Sequence, residues 1–381
     1  NQIYYAKGRT AVIEIVEHNF DAALIHITAE AESEGAVPSI SGWSHEGDSH
    51  RAFVSFLADG TYTFGIAGMD QAENEMESYG TERFIIDQTA PLIAISGVEH
   101  RSANGGAVMP EIRCTDRNYQ TGQMEILLTG CLHGAVDLKG TRSIGIGEEC
   151  FRMEDFAYFK EEDDLYELTV RAYDLAGNES FASVLFSVNR FGSVYTLDAK
   201  TELLAGERGS YYTNTEPDIT VTETNADTLE FQEITCSLNG KLYTLKEGTD
   251  YFVHTSGTNE SWKQYVYSIP AKNFQEEGIY VLTIYSEDRA RNASDNHAKG
   301  KKIEFAVDKT SPSILLSGVE DGGRYRENSR EITLDIQDNL MTAEVKVFVN
   351  GIESVYHASE VQEQKGRIRL MAGSSNQWQS I

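Results

Sequence analysis

Short segments in which apolar and polar residues alternate recur along the chain and predict half-buried β-strands. Four of them end at a turn-forming asparagine, as AVIEIVEHN at Asn19, EIRCTDRN at Asn118, DITVTETN at Asn225 and EITLDIQDN at Asn339. A period of two that stops at a turn residue is typical of a strand with one buried face. No segment shows the 3.6-residue period of a convincing amphipathic helix. The pattern therefore predicts an all-β protein.

A second segment occurs three times, each time C-terminal to one of these strands. It reads YTFGIAGMDQAEN at 62–74, YELTVRAYDLAGN at 166–178 and YVLTIYSEDRARN at 280–292, so tyrosine, aspartate and asparagine keep the same spacing. Repeats of this length are typical of repeated domains. Each tyrosine opens a strand after a turn (DGTY, DDLY or EGIY), which is where immunoglobulin-like sandwiches place a tyrosine corner. We therefore expect structural roles for Tyr62, Tyr166 and Tyr280.

The phrases DQTAPLIAISGVE at 87–99 and DKTSPSILLSGVE at 308–320 separate these repeats. They predict four domains, at 1–87, 88–189, 190–308 and 309–381, of which the first lacks its own opening phrase and the last lacks the tyrosine segment. Strands about ten residues apart, joined by Gly, Asn and Asp turns, are typical of antiparallel sandwiches. We thus expect tandem immunoglobulin-like antiparallel β-sandwiches arranged as an extended multi-domain array. The sequence begins at Asn1, with no initiating methionine and no signal-peptide pattern. We therefore also expect it to be a segment of a longer protein.

The net charge limits which partners the chain can bind, and the cysteines limit which metal sites and disulfides it can form. With 32 basic and 60 acidic residues the net charge is −28, which repels nucleic acid and anionic membranes. No apolar run is long enough for membrane insertion of this segment. The four cysteines lack the spacing of a zinc site. Cys131 and Cys150 lie in one predicted domain, so a disulfide between them stays open as an alternative.

The phrases DKTSP…SGVEDG, EHNF, DLAGN and VNRFGSVY resemble tandem bacterial Ig-like domains of Gram-positive cell-surface proteins, and the resemblance covers essentially the whole chain. It implies an extracellular protein, wall-associated or secreted, in which such modules form stalks, spacers or adhesive arms. The partners so implied are other domains of the same polypeptide and a host or bacterial surface protein or glycan.

Acidic and amide side chains gather at one end of the second and third expected sandwiches. The B–C and F–G loops share an end with the entry of the first strand, which brings Asp116, Asn118 and Asp174 toward the linker residue Asp87. The third domain offers Glu223 and Asp288 in the same way. Carboxylate and amide oxygens are ligands that Ca²⁺ prefers, so calcium is the one cofactor to test. The alternative is that Asp and Asn simply close tight turns.

No catalytic motif is present, so the leading hypothesis is a non-enzymatic stalk or adhesion segment of a bacterial extracellular surface protein. The alternative is a carbohydrate- or protein-binding accessory module of a secreted glycosidase. Trp43 and Trp262 are its candidate ligand-binding residues, because aromatic faces stack on sugars, although a Trp beside a strand is usually core. His45 and His50 flank the acidic loop SHEGDSH, for which we weigh a metal site against an exposed polar loop.

Overall fold

A computed structural model describes residues 2–32, 35–205, 211–349 and 351–373. Within these residues the protein is built of strands with two short α-helices and three 3-10 turns, at Ala22–Leu24, Lys160–Glu162 and Ala271–Phe274. The chain forms two compact units. The first unit consists of Asn1–Gly192, Gly257–Trp262 and Arg289–Asn292, and the second of Ser193–Ser256, Lys263–Asp288 and Ala293–Ile381. No helix in the described part is long and apolar enough to cross a membrane.

The first sandwich packs two sheets, ordered β1-β8-β7-β3 and β2-β6-β4, with β5 beside β6. Alternation along β6 buries Ala52, Val54 and Phe56 on one face, because successive side chains of a strand point to opposite sides. Its strands are β1 (Ile3–Tyr5), β2 (Arg9–Val16), β3 (Ile25–Ala31), β4 (Ser39–Ile40), β5 (Ser44–Glu46), β6 (Ser49–Phe56), β7 (Gly60–Gly68) and β8 (Tyr79–Ile86).

The second sandwich has sheets ordered β10-β17-β16-β12-β13 and β14-β15-β11-β9. Its core contains Ile112, Leu168, Val170 and Phe186, all fully buried. Its strands are β9 (Leu92–Ser96), β10 (Ser102–Asn104), β11 (Glu111–Thr115), β12 (Glu125–Gly130), β13 (Gly134–Val136), β14 (Gly140–Gly145), β15 (Glu148–Met153), β16 (Asp164–Tyr173) and β17 (Glu179–Val188).

The third sandwich has sheets ordered β18-β20-β24-β23 and β19-β27-β25-β21-β22, with β26 beside β25. Its core includes Val221, Ile234, Leu282 and Phe305. Its elements are β18 (Val194–Leu197), α1 (Ala199–Leu204), β19 (Tyr211–Thr213), β20 (Ile219–Asn225), β21 (Leu229–Leu238), β22 (Lys241–Thr244), β23 (Phe252–Ser256), β24 (Lys263–Ile269), β25 (Gly278–Asp288), β26 (Ala293–Asp295) and β27 (Ile303–Val307).

The fourth sandwich is smaller in the described residues, with sheets ordered β28-β29-β32 and β30-β31. Leu334, Ile336, Val345, Val347 and Ile368 belong to its core. Its elements are β28 (Ser313–Ser317), β29 (Ser329–Gln337), β30 (Glu344–Val349), β31 (Ile352–His357), α2 (Ala358–Glu363) and β32 (Arg367–Gly373).

The two α-helices depart from the expectation that the chain has none. Each is six residues long, which is under two turns and too short to produce a helical period in the sequence. Local capping holds α1, because Asp198 accepts a hydrogen bond from the N–H of Thr201 at 2.8 Å. The all-β prediction is otherwise confirmed.

The duplicated phrase SGVE contains a glycine that the backbone requires. Gly97 and Gly318 have φ of +82° and +91°, a conformation that L side chains rarely adopt. A Cβ atom there would come within 2.7 Å of the Met109 carbonyl oxygen or 2.4 Å of the Glu331 carbonyl oxygen. The phrase therefore encodes a tight exit from β9 and from β28.

All four cysteines are free thiols, so the alternative of a disulfide between Cys131 and Cys150 is not realised. Cys131 is exposed in the turn that follows β12, whereas Cys150 is buried in β15 with its thiol beside the carboxylate of Glu111.

Candidate functional site at the linkers between sandwiches

A short edge strand at the front of a sandwich fixes where each linker begins. In the first three sandwiches this strand (β1, β10 or β19) runs parallel to the last strand (β8, β17 or β27). The residue after the last strand continues that pairing and donates its N–H to the edge strand. These bonds are Asp87 to Tyr5 O at 2.9 Å, Asn189 to Asn104 O at 2.9 Å and Asp308 to Thr213 O at 2.8 Å.

An acidic side chain of the preceding sandwich holds the next peptide of each linker. It lies three residues before the corner tyrosine and accepts the backbone N–H that follows the linker residue. The pairs are Asp59 with Gln88 at 2.9 Å, Asp163 with Arg190 at 2.8 Å, and Glu277 with Lys309. At the first and third linkers a threonine hydroxyl donates to the same acid, from Thr89 at 2.6 Å and from Thr310 at 2.8 Å.

At the first and third linkers, hydrogen bonds from the linker lower the pKa of the clamping acid. For Asp59, burial alone would raise the pKa, but the bonds from Thr89 and Gln88 together outweigh it. For Glu277, the Thr310 hydroxyl is the main cause of the lowered pKa. Both carboxylates are thus stabilised in the ionised form that the linker N–H groups prefer.

An asparagine of the following sandwich holds the linker from the other side. Asn178 donates from Nδ2 to the carbonyl oxygen of Asp87 at 2.7 Å, and Asn292 donates in the same way to Asn189 at 2.7 Å. Asn178 also closes its own turn, since its N–H and its Nδ2 bind the two carboxylate oxygens of Asp174 at 2.8 and 2.6 Å. We call the acid, the linker residue and this asparagine a linker clamp.

Three of the calcium candidates meet at the first linker clamp. One carboxylate oxygen from each of Asp87, Asp116 and Asp174 lies within 4.8 Å of the others. Asp87 and Asp174 are buried, and Asp116 is half-buried. Burial and the neighbouring charges of Asp87 and Asp174 raise the pKa of Asp116. Such a group offers hard oxygen ligands to a divalent cation, and calcium there stays a prediction.

The amide of Asn118, a fourth candidate, also lies at this clamp. Its Nδ2 donates to Asp87 Oδ2 at 2.6 Å, and its backbone N–H donates to Asp116 Oδ1 at 2.6 Å. The amide thus satisfies one carboxylate oxygen by hydrogen bonding but carries no charge of its own. The residues that close this turn are therefore the same ones that the calcium prediction names.

The candidates of the third sandwich lie in a different environment. Glu223 is fully buried and accepts hydrogen bonds from Tyr267 at 2.7 Å and from the hydroxyls of Ser193 and Ser286. Asp288 accepts from Asn225 Nδ2 at 3.0 Å. Within the described residues, three carboxylates converge only at Asp87, Asp116 and Asp174. Glu223 is thus surrounded by hydroxyl donors, whereas Asp116 lies beside two other carboxylates.

Each corner tyrosine closes the turn that contains a clamping acid. Each is fully buried and donates its hydroxyl to a carbonyl four residues upstream, as Tyr62 to Ala58 at 2.7 Å, Tyr166 to Glu162 at 2.9 Å and Tyr280 to Glu276 at 2.8 Å. The turn so closed contains the clamping acid, since Asp59, Asp163 and Glu277 lie between the bonded residues. We propose that the corners position these acids.

The two tryptophans are half-buried and already in contact with protein. Trp43 packs against the core of the first sandwich, with its ring 4.9 Å from that of Phe20. Trp262, in the first unit, donates its indole N–H to the buried Asp164 at 2.7 Å, and the Lys160 ammonium lies 5.6 Å from its ring centre. Glycan binding by either residue stays a prediction.

The histidines of the loop SHEGDSH form a pair on one hairpin. His45 Nδ1 lies 2.6 Å from His50 Nδ1, and His50 Nε2 lies 2.8 Å from the carbonyl oxygen of Glu17. His50 is buried and stacks on Phe20 at 4.1 Å. This geometry is a hydrogen-bonded pair in which the ring nitrogens face each other.

Sequence reasoning missed the clamping acids and also Arg190. The signal for the acids was present, because DGTY, DDLY and EGIY all carry an acid three residues before the tyrosine. At the second linker the sequence NRFGS, which contains Arg190, stands where the other two linkers have DQTAP and DKTSP. The buried guanidinium of Arg190 donates to the carbonyls of Phe156 at 2.8 Å and Gly106 at 3.0 Å and pairs with Asp155.

The chain is similar to a family model and to several solved structures. The family model "Bacterial Ig-like domain (group 3)" matches residues 52–189, from β6 of the first sandwich to the second linker. No curated protein matches the sequence. A solved structure titled "Crystal structure of tetra-tandem repeat in extending region of large adhesion protein" is 15% identical and covers 98% of this chain and 88% of that chain, with a TM-score of 0.38. A pair of titin Ig tandem domains is 12% identical and covers 57% of this chain and 95% of that chain, with a TM-score of 0.29.

Both TM-scores lie below 0.5, so the assignment rests on the family match and on the sandwiches described above. The family match spans β6 to β8 of the first sandwich and the whole of the second, in a chain that folds as a tandem series of Ig-like β-sandwiches.

Proposed function

We propose that this chain is a non-enzymatic spacer segment of an extracellular bacterial surface protein, in which the first and third linkers, each inside one compact unit, are held and do not rotate freely. The recurring linker clamp is the observation that carries this proposal. Acids at equivalent positions of three sandwiches hold the peptide after the linker residue. A flexible tether has no need of such contacts, whereas a spacer that holds a terminal domain away from a surface does.

The hydrogen bonds of the first clamp support this proposal. Three sets of bonds join the first sandwich, the linker and the second sandwich: Asp59 with Gln88 and Thr89, Asn178 with Asp87, and Asn118 with Asp87. At about 1 kcal/mol net for each set, the closed linker is favoured by roughly 3 kcal/mol, or about 100-fold. Proline at position 91 further restricts the backbone entry to β9.

The acidic surface suits the same role. A net charge of −28 favours solubility and opposes close association between like copies. The family match over residues 52–189 supports a bacterial setting, and a surface or secreted location belongs to this proposal. Partners in the proposal are neighbouring domains of the same polypeptide.

Surface display tests the proposal directly. The chain would be placed between a wall anchor and a small epitope domain on a bacterial surface, and a Gly/Ser linker of equal length would serve as the control. We expect a bulky antibody to reach the epitope more readily on this chain than on the control. Equal accessibility would refute the spacer role. Saturable binding on a glycan array, lost in Trp262→Ala, would favour the accessory-module alternative.

A further inference from the structure

Two histidines of the first sandwich face each other across a tight hairpin. Gly47 and Asp48 alone connect β5 to β6, and the strand pairing places His45 directly opposite His50. Side chains at such directly opposed positions are close neighbours on one face of a sheet. The Nδ1 atoms of the two rings lie 2.6 Å apart. A single proton therefore lies between these nitrogens, because two N–H groups do not point at each other at that distance.

The ring of His50 is fixed and directs a lone pair at its partner. Only 7% of this residue is exposed, and its ring stacks on Phe20 with 4.1 Å between the ring centres. Its Nε2 donates to the carbonyl oxygen of Glu17 at 2.8 Å, since a carbonyl can only accept. The neutral ring thus carries its one proton on Nε2, and Nδ1 keeps its lone pair. A backbone carbonyl behind the ring is the support that metal-binding histidines usually have.

His45 is the exposed partner and can supply a second lone pair. Because Nδ1 of His50 accepts, the proton between the rings belongs to Nδ1 of His45. A neutral imidazole can carry its proton on either nitrogen. With that proton on Nε2, the Nδ1 lone pairs of both histidines point into the same space. Two convergent imidazole nitrogens suit zinc, nickel and copper ions.

The separation of the two nitrogens selects among these ions. With metal–nitrogen bonds of about 2.0 Å, adjacent ligands are about 2.8 Å apart in a square-planar site and about 3.3 Å apart in a tetrahedral one. The observed 2.6 Å is nearer the square-planar value. Copper(II) prefers this geometry and has the highest affinity of the divalent first-row metals. Glu46 and Asp48 add negative charge to the same hairpin, which attracts a cation.

We propose that His45 and His50 bind a divalent copper ion through their Nδ1 atoms, with water in its other positions. Binding transfers the proton of His45 from Nδ1 to Nε2 by exchange with solvent, so both rings stay neutral. The ion then ties β5 to β6 within the first sandwich. This site is separate from the linker clamps and does not depend on the spacer role.

Titration of the full chain with Cu²⁺, followed by EPR spectroscopy, tests the site. Cys131 would be alkylated in every sample, because its exposed thiol could itself bind or reduce the ion. We expect saturation at one ion per chain. The spectrum should show the nitrogen superhyperfine pattern of two coordinated imidazoles.

Two single-histidine variants separate the pair from other histidines. His45→Ala removes an exposed ring and should weaken Cu²⁺ binding by about tenfold or more. His26→Ala is the matched control, because it removes an exposed ring from β3 of the same sandwich and should leave affinity and spectrum unchanged. Saturating Cu²⁺ should raise the melting temperature of the parent chain and of His26→Ala, but not that of His45→Ala, since the paired ligands exist only in the folded hairpin.

Two results would overturn the proposal. One is equal Cu²⁺ affinity in His45→Ala and the parent chain. The other is a spectrum of one coordinated imidazole, or of none, in the saturated parent chain, which would show an adventitious ion only.

Discussion

Replacing Asn178 with alanine isolates the contribution of a linker clamp. The change removes the bond from Nδ2 to the Asp87 carbonyl at 2.7 Å and the bond to Asp174 at 2.6 Å. Asn74 provides the matched control, because it closes the equivalent turn onto Asp70 at 2.8 Å, and its bonds are confined to that turn. Both variants lose a bond to a carboxylate, worth about 1.5–3 kcal/mol. Only Asn178→Ala also loses the linker bond, worth about 0.5–1.5 kcal/mol.

The backbone amide of Gln88 reports on the clamp, since its N–H is held by Asp59 at 2.9 Å and is released when the linker opens. Its hydrogen exchange can be followed by NMR. Loss of the bond to the Asp87 carbonyl, at about 0.5–1.5 kcal/mol, predicts that Asn178→Ala speeds this exchange roughly 2- to 12-fold. Asn74→Ala should leave the rate unchanged. Equal effects of the two variants, or no effect of Asn178→Ala, would refute the reasoning.

Three further predictions concern the residues around the clamps. Tyr166→Phe removes the bond to the Glu162 carbonyl and should lower the free energy of unfolding by about 1 kcal/mol in urea titrations; wild-type stability would contradict the structural role of the corner. Asp116 has a raised pKa in the folded state, so its ionised form costs stability at neutral pH, and this cost is relieved as pH falls through the folded pKa. Asp116→Asn should therefore raise the melting temperature at pH 7 in EDTA, with a gain that shrinks towards about pH 4; a gain that is constant with pH would show that charge is not its cause. If calcium binds Asp87, Asp116 and Asp174, millimolar Ca²⁺ should raise the melting temperature of the wild type but not of Asp116→Asn, and identical melting curves in Ca²⁺ and EDTA would reject the site.

Local patterns were sufficient to predict the strands and their repetition. Period-two alternation and turn residues identified the strands that end near Asn118 and Asn225, because these signals act over only a few residues. The helices α1 and α2 could not be found in this way, since neither is long enough to show a period.

The candidate site was harder to predict because its contacts join residues that are distant in sequence. Fold analogy brought Asp87, Asp116 and Asp174 together correctly as neighbours. Asp59 was missed although it lies in the conspicuous turn DGTY, because its contact with Gln88 spans 29 residues and depends on the parallel edge strand. Glu223 was grouped with the calcium candidates by repeat position, yet two of the hydroxyls around it come from Ser193 and Tyr267, which lie outside the tyrosine segments.

The width of the distance distribution across the first linker tests the central claim most directly. Spin labels on the exposed native Cys131 and on Val12→Cys, also exposed, would span the first and second sandwiches within one compact unit. Clamped linkers predict a narrow distribution in the parent chain and a clearly broader one after Asp59→Ala combined with Asn178→Ala. A broad distribution in the parent chain, or the same width in both proteins, would contradict the account.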